Sequence, residues 1–277
     1  MKTVQGWVLA ALGILIAVIV SYDVFSTQSS EDNHGHEQGQ AEEHQENGEH
    51  DHQHVVEDEV NSTIEVDVKY HNNLLTVNLV DENGEVPSLE MNHEKKMHLI
   101  LVSEDLESFV HLHPEQMSDG SFTVESEHES RSYQVFVDIV PTNGAYQVQP
   151  ISLHGVGHDH EEHQHQPLVE SEKTVRIEDI EVTLGHEPII AGEQANLHFS
   201  VNADVEPYLG ALGHVVIVNE MVDSYIHVHP KSIEEPIFAA HFEKAGMYKL
   251  WAEFKIDGEV YAFPYVLEVL ESEEGDS

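Results

Sequence analysis

Three histidines recur twice at one spacing. His98, His111 and His113 lie in HLILVSEDLESFVHLHP (98–114), and His214, His227 and His229 lie in HVVIVNEMVDSYIHVHP (214–230), which aligns with the first stretch without a gap. Imidazole is a ligand for borderline divalent ions, and three of them with a fourth position left for water, carboxylate or thioether suit zinc or copper. Neutral rings that are buried without a guest must each find partners for a donor and an acceptor. The competing reading is that the rings hydrogen-bond backbone at the rim of a β-structure, as isolated histidines usually do.

The elements that would position these rings are short strands. If the polar loop SEDLES closes a hairpin that pairs Val102 with Phe109, then His98 lies opposite His113, because paired numbers in an antiparallel ladder have a constant sum. His111 is then a diagonal neighbour. Side chains alternate faces, so His98, His111 and His113 share one side while Leu99, Leu101, Val110 and Leu112 project to the other. The second stretch predicts the same for His214, His227 and His229, with Val215, Ile217, Ile226 and Val228 opposite. Glu104 and Glu220 recur as well, but at the far end of the ribbon, roughly 15 Å away, where they suit turn formation.

Additional donors differ between the two stretches. The first is preceded by MNHEKKM, which offers Met91, His93 and Met97, and is followed by Met117. The second has Gly213 in place of Met97 and offers Met221 and His241. Thioethers beside imidazole favour copper, particularly copper(I), although alternation puts Met97 on the face opposite His98, and methionine is commonly core filler.

Composition narrows the function. The chain of 277 residues contains no cysteine, which excludes disulfides, thiolate catalysis, iron–sulfur clusters and Cys-containing copper sites. Any metal must be held by histidine, carboxylate or methionine, and histidine numbers 23. The formal net charge of -42 argues against nucleic acid or an anionic membrane surface as partner and suits cations. Solubility in salty or alkaline surroundings would also select such acidity.

Along the chain, residues 1–24 hold an uncharged apolar run, Gly6 to Tyr22, behind Lys2. It is long enough for an uncleaved single-pass membrane helix, and with positive charge before it and acid beyond, the bulk of the chain is expected on the extracytoplasmic side. Residues 25–62 are acidic and His-rich, too polar to fold, and read as a disordered tether. β-Rich runs then fill 63–153, a second His-rich linker covers 154–172, another β-rich series covers 173–270, and 271–277 is an acidic tail. YQVFVDI at Tyr133 aligns with YKLWAEF at Tyr248, so the two β-rich units are an internal duplication. About seven short strands per unit, with no helical periodicity outside the anchor, predict an all-β chain of two tandem immunoglobulin-like or cupredoxin-like antiparallel sandwiches. The polar inserts carry further histidines: His34, His36, His44, His50, His52 and His54, then His158, His160, His163 and His165. Among carboxylates in flexible chain they suit weak, exchangeable metal binding, a local reservoir.

MHLILVSEDLESFVHLHPE and PYLGALGHVVIVNEMVDSYIHVHP, followed by YKLWAEF, resemble the YtkA-like and related extracytoplasmic β-sandwich domains of bacteria, which are often tandem or tethered and associated with copper or heavy-metal handling. The resemblance spans roughly Thr63 to Val269 and carries over His98, His111, His113, His214, His227 and His229. It implies a membrane-tethered protein that captures, buffers or delivers copper or zinc, handing it to an unidentified partner protein. A non-catalytic scaffold with structural histidines is the alternative. A three-His metalloenzyme is a weaker one: a cupin would want a Glu three to four residues after the second histidine of its pair, whereas Glu115 follows His113 by two and Lys231 follows His229.

Overall fold

The computed structural model of the chain describes residues 62–127, 132–154, 167–226 and 228–272. The expected membrane helix, nearly all of the tether, the linker histidines His158 to His165, His227 and the last five residues lie outside them. Every regular element among the described residues is a β-strand. The first half contributes β1 (Ile64–His71), β2 (Leu74–Asp81), β3 (His98–Ser103), β4 (Phe109–Leu112), β5 (Glu115–Gln116), β6 (Phe122–Glu125), β7 (Tyr133–Asp138) and β8 (Ile151–Leu153). The second half contributes β9 (Thr174–Ile177), β10 (Ile180–Gly185), β11 (Ile189–Ile190), β12 (Gln194–Val201), β13 (His214–Asn219), β14 (Tyr225–Ile226), β15 (His229–Pro230), β16 (Ile237–His241), β17 (Gly246–Ile256) and β18 (Glu259–Leu270).

These strands form four sheets, two from each half. The first half pairs them in the orders β1-β2-β6-β5 and β4-β3-β7-β8, the second in the orders β15-β16-β12-β10-β9 and β11-β18-β17-β13-β14. All pairings are antiparallel except the short contact of β11 with β18. The two sheets of each half enclose a core of their own, one around Leu75, Leu99, Phe122 and Val135 and the other around Leu197, Phe238, Phe254 and Phe263. This is β-sandwich packing, with apolar inner faces stacked against each other.

The burial pattern sorts the sheets into two kinds. Strand β12, QANLHFSV, alternates between exposed and buried along its length, as a strand does when one face meets water. In β3, HLILVS, all six residues are buried, and β13 is buried along its first five. Such strands need apolar material on both faces. Leu99 and Leu101 enter the first core and Val215 and Ile217 the second, while Ile100, Val102, Val216 and Val218 point the other way and meet in a third cluster with Leu106, Phe136, Val222 and Trp251. The sheets containing β3 and β13 therefore pack against each other and join the two halves into one body.

The contacts across this junction are reciprocal. Phe109 stacks on Trp251 with ring centroids 4.8 Å apart and planes 10° from parallel. Tyr225, which occupies the place of Phe109 in the second half, stacks on Phe136, which occupies the place of Trp251 in the first, at 5.7 Å. Equivalent residues contacting each other's counterparts is the signature of an isologous, two-fold-like interface.

Because Trp251 is 4 % exposed and spans this junction, Trp251→Ala should remove about 3–5 kcal/mol of stability. Urea unfolding followed by circular dichroism would read this as a lower midpoint. A loss under about 1 kcal/mol would mean that the junction contributes little to the fold.

Candidate metal centre

The register of the first hairpin follows the constant-sum rule. Val102 pairs with Phe109, Ile100 with His111 and Leu99 with Leu112, which leaves His98 facing His113 just beyond the ladder. Its loop is closed by Ser103, whose hydroxyl oxygen accepts the Ser108 N–H at 2.8 Å. In the second hairpin Asn219 Oδ1 accepts the N–H groups of Asp223 and Ser224 at 3.0 Å. Glu220 does not close that turn with its side chain; its carboxylate accepts the Leu168 N–H at 2.6 Å and so anchors the linker.

His98, His111 and His113 come together, with one nitrogen of each within 4.8 Å of the others, and could hold a metal ion. Two of the three rings have a fixed tautomer. His98 Nε2 lies 2.9 Å from the carbonyl oxygen of Asn92, which only accepts, so Nε2–H donates and Nδ1 carries the lone pair of the neutral ring. His111 Nδ1 lies 2.6 Å from Glu253 Oε2, so Nδ1–H donates to the carboxylate and Nε2 carries the lone pair. Those two lone-pair atoms, His98 Nδ1 and His111 Nε2, stand 3.0 Å apart. His113 Nε2 is 3.2 Å from the same His98 Nδ1.

Two lone pairs that face each other at hydrogen-bond distance repel unless a hydrogen-bond donor or a metal ion lies between or beside them. A neutral His113 can donate its one N–H to His98 Nδ1, whereas a metal ion would take a lone pair from all three rings. For a tetrahedral ion with metal–nitrogen bonds of ~2.05 Å, adjacent ligand nitrogens stand about 3.3 Å apart, within a few tenths of an ångström of the two separations here. The charged, doubly protonated form is disfavoured at His113, whose pKa is pushed down to about 2, chiefly by burial and then by the neighbouring His111. The carbonyl and carboxylate behind His98 and His111 are what metal-binding histidines ordinarily have behind them, orienting the ring and raising its basicity.

Glu253 belongs to the second half, so the centre is not confined to the first. The His111 and Glu253 side chains are only 3 % and 8 % exposed and form their pair across the junction. His214 also approaches, its ring centroid 6.0 Å from that of His111 and 6.1 Å from that of His98. It is held like His98, with Nε2 donating to the Tyr208 carbonyl at 3.1 Å. Burial, and next the nearby His111, push its pKa down to about 3. Gly213, which stands where the first half has Met97, lets the start of β13 lie close against β17 in its own sheet: its φ is 112° and a Cβ there would lie 2.7 Å from the Glu253 carbonyl oxygen.

The remaining expected donors separate. Met97 is fully buried in the first sandwich core, on the face of the chain opposite His98, so it brings no thioether to the rings. Met91, Met117 and Met221 are exposed. His241 lies on β16, paired with Gln194 in a different sheet from His214. His93 does join the rings, its centroid 6.0 Å from His98 and 5.5 Å from His214. In the second hairpin Ile217 pairs with Ile226 and Val218 with Tyr225, and the His229 backbone pairs with Ala239 in the other sheet.

Sequence reasoning missed the carboxylates Asp138 and Glu253, which sit directly across their ladders from His98 and His214. A signal existed: the aligned stretches YQVFVD and YKLWAE each place an acid at the same position of an otherwise apolar strand. Asp138 accepts the Tyr225 hydroxyl at 3.0 Å. Burial first, and then the charge of Asp138, hold the Tyr225 pKa well above its usual value, so the phenol stays a donor.

With the geometry in place, comparison with known proteins assigns the family. Residues 52–155 and 173–271 each match the model described as a domain of unknown function, DUF8832. The chain belongs to the DUF8832 family. It carries the domain twice, and the centre forms where the two DUF8832 copies meet. Curated proteins provide no match. Among solved structures, the chain is similar to the BSP domain of a biofilm-associated protein, at 9 % identity over 77 % of this chain and 30 % of that one, with a TM-score of 0.23. It is also similar to the Bacteroides ovatus mixed-linkage glucan utilization locus protein SGBP-B, solved with a mixed-linkage heptasaccharide, at 12 % identity over 72 % of this chain and 40 % of that one, with a TM-score of 0.19. The DUF8832 pair thus spans less than half the length of either structure, and at these TM-scores neither likeness bears on its fold or function.

The depressed pKa values of His113 and His214 have a consequence for the metal-free protein. Both folded values lie below that of a free ring. As pH falls below about 6.5, the unfolded chain binds protons at these rings that the folded chain does not, and stability falls with it. Melting temperature should therefore drop between about pH 7 and pH 5, and the drop should be shallower in His113→Gln. A variant with the same slope as the parent would show that His113 titrates normally in the folded state.

Proposed function

We propose that this DUF8832 protein is a membrane-tethered, extracytoplasmic metal-binding protein that holds a divalent ion at His98, His111 and His113. The convergence of His98 Nδ1 and His111 Nε2 carries the reading: both rings are fixed with lone pairs inward, 3.0 Å apart, by acceptors that take the outward N–H. An all-nitrogen donor set with no thioether beside it favours zinc or copper(II) over copper(I). We read the binding as reversible capture or delivery rather than catalysis, since Glu253, the carboxylate that meets His111, is engaged in orienting that ring.

The resemblance of the HxHP stretches to YtkA-like domains, the apolar N-terminal run and the acidic His-rich segments support the same assignment. In it, each unit is an immunoglobulin-like or cupredoxin-like sandwich, the N-terminal helix holds the chain at the membrane, and the polar segments collect ions for the folded centre and for transfer to a partner protein. The scaffold reading draws on a different observation, the apolar and aromatic junction, which joins the two units without needing an ion.

Thermal unfolding with and without zinc or copper(II) separates the two. A ligand at a hundred times its Kd adds about 2.7 kcal/mol to the folded state, which raises the melting temperature by several degrees. His111→Ala and His113→Ala should abolish the rise. Glu253→Gln, which keeps the shape and can still accept the His111 N–H, should weaken binding about 10–100-fold without abolishing it. A melting temperature indifferent to metal and to chelator would sink the metal reading and leave the scaffold.

A further inference from the structure

The three-His centre draws its rings from the first DUF8832 copy, but not everything that orients them. His98 is held from within that copy, its Nε2–H donated to the Asn92 carbonyl. His111 is held from outside it: the Glu253 carboxylate that accepts its Nδ1–H at 2.6 Å stands on β17 of the second copy. Glu253 is within reach only while the two copies are docked. Docked, His111 Nε2 faces His98 Nδ1 at 3.0 Å. Parted, the His111 ring loses that acceptor and with it the fixed tautomer.

What else fastens the copies is separate from the rings. It is the apolar cluster that includes Ile100, Val102, Val216 and Val218, the stack of Phe109 on Trp251, and one further polar bond, from the Tyr225 hydroxyl to Asp138 Oδ2 at 3.0 Å. Asp138 and Glu253 hold equivalent places, each directly across its ladder from the first histidine of its copy. Both acids reach over the junction, but Asp138 takes a phenol and Glu253 an imidazole. The first bond fastens the copies; the second fastens them and also orients a candidate ligand.

We propose that docking of the two copies and ion binding at the three-His centre are coupled through the Glu253–His111 bond, so that the ion tightens the junction and parting of the copies releases it. The inference rests on the metal-binding reading and adds to it how capture and release are controlled. The sign follows from charge: a cation on Nε2 of His111 polarises the ring and makes its Nδ1–H a stronger donor to the buried carboxylate. The size follows from linkage. Losing the acceptor behind a metal-binding imidazole lowers affinity about 10–100-fold. The reverse effect must be equal, so a bound ion disfavours parting by the same factor of about 10–100.

The test uses a thiol as a reporter, since the chain has no cysteine of its own. Val218 lies on β13, fully buried in the cluster between the copies, and Val218→Cys in the full chain nearly conserves volume. Its alkylation by iodoacetamide is followed by mass spectrometry, metal-free and at zinc concentrations that saturate the rise in melting temperature. With reagent dilute enough that reclosing outpaces alkylation, the rate reports the population of the parted state. Saturating zinc should slow alkylation about 10–100-fold, and with Glu253→Gln added, at its own saturating zinc, only a few-fold. Circular dichroism confirms that the metal-free variants are folded, and Val216→Cys, in the same cluster, replaces Val218→Cys if it is not. Alkylation indifferent to zinc that does raise the melting temperature overturns the coupling and leaves the metal reading standing. A slowing that is unchanged by Glu253→Gln comes from zinc on the thiol or on the fold as a whole, and also overturns it. Zinc that moves neither melting nor alkylation overturns both.

Discussion

The bond from His111 Nδ1 to Glu253 ties the architecture to its chemistry. It crosses the junction between the two copies at 2.6 Å with both partners buried. A buried carboxylate costs several kcal/mol to desolvate and is tolerated only where a donor meets it, and a buried imidazole needs its N–H accepted just as much. Each group therefore needs the other copy in place. The same bond decides which nitrogen of His111 looks inward, so docking of the sandwiches and the tautomer of a candidate metal ligand are set together. A change that separated the copies would leave a charge uncompensated and a ring free to turn.

Duplication explains how such a junction arises. A strand buried on both faces is costly for an isolated sandwich, which would present Ile100, Val102 and Phe136 to water. Two copies related by a two-fold-like operation cover each other with the same face, so one apolar pattern serves both, and Phe109 on Trp251 is matched by Tyr225 on Phe136. The copies then diverge where symmetry is not required. Met97 fills the first core, whereas its counterpart Gly213 makes room for close approach to Glu253. His93 stands beside His98 and His214, whereas its counterpart in the second copy is Leu209.

Much of this was legible in the sequence, and what was not has a physical cause. All-β character, the register of the first hairpin and the shared face of His98, His111 and His113 follow from period-two alternation, a property of the chain alone. Alternation also put Met97 on the opposite side. What the face looks at is a different matter. Alternation put Leu99 and Leu101 on one side and the histidines on the other, but Ile100 and Val102 share the histidine side and Val216 and Val218 repeat it. An apolar residue at every position of a strand signals burial on both faces, and that pattern pointed to a partner sheet. Asp138 and Glu253 were missed because ligand searching follows histidine spacing, and a carboxylate behind a ring is placed by the neighbouring strand, far away in sequence.

The electrostatics of the whole chain now take on a more specific sense. A net charge of -42 raises the concentration of cations around the molecule without selecting among them. Selection needs donors that are neutral, oriented and shielded from water, and burial supplies that by holding His113 and His214 unprotonated far below the usual imidazole range. In the proposed reading the exposed carboxylates and the ring cluster do opposite things, one attracting any cation and the other suited to an ion that gives up its hydration for nitrogen. Calcium and magnesium, which favour oxygen, would accumulate at the surface and stay there, while zinc and copper(II) would exchange inward. The difference follows from where the groups sit: most of the acid meets water, whereas His98, His111, His113 and His214 gather where the two copies meet.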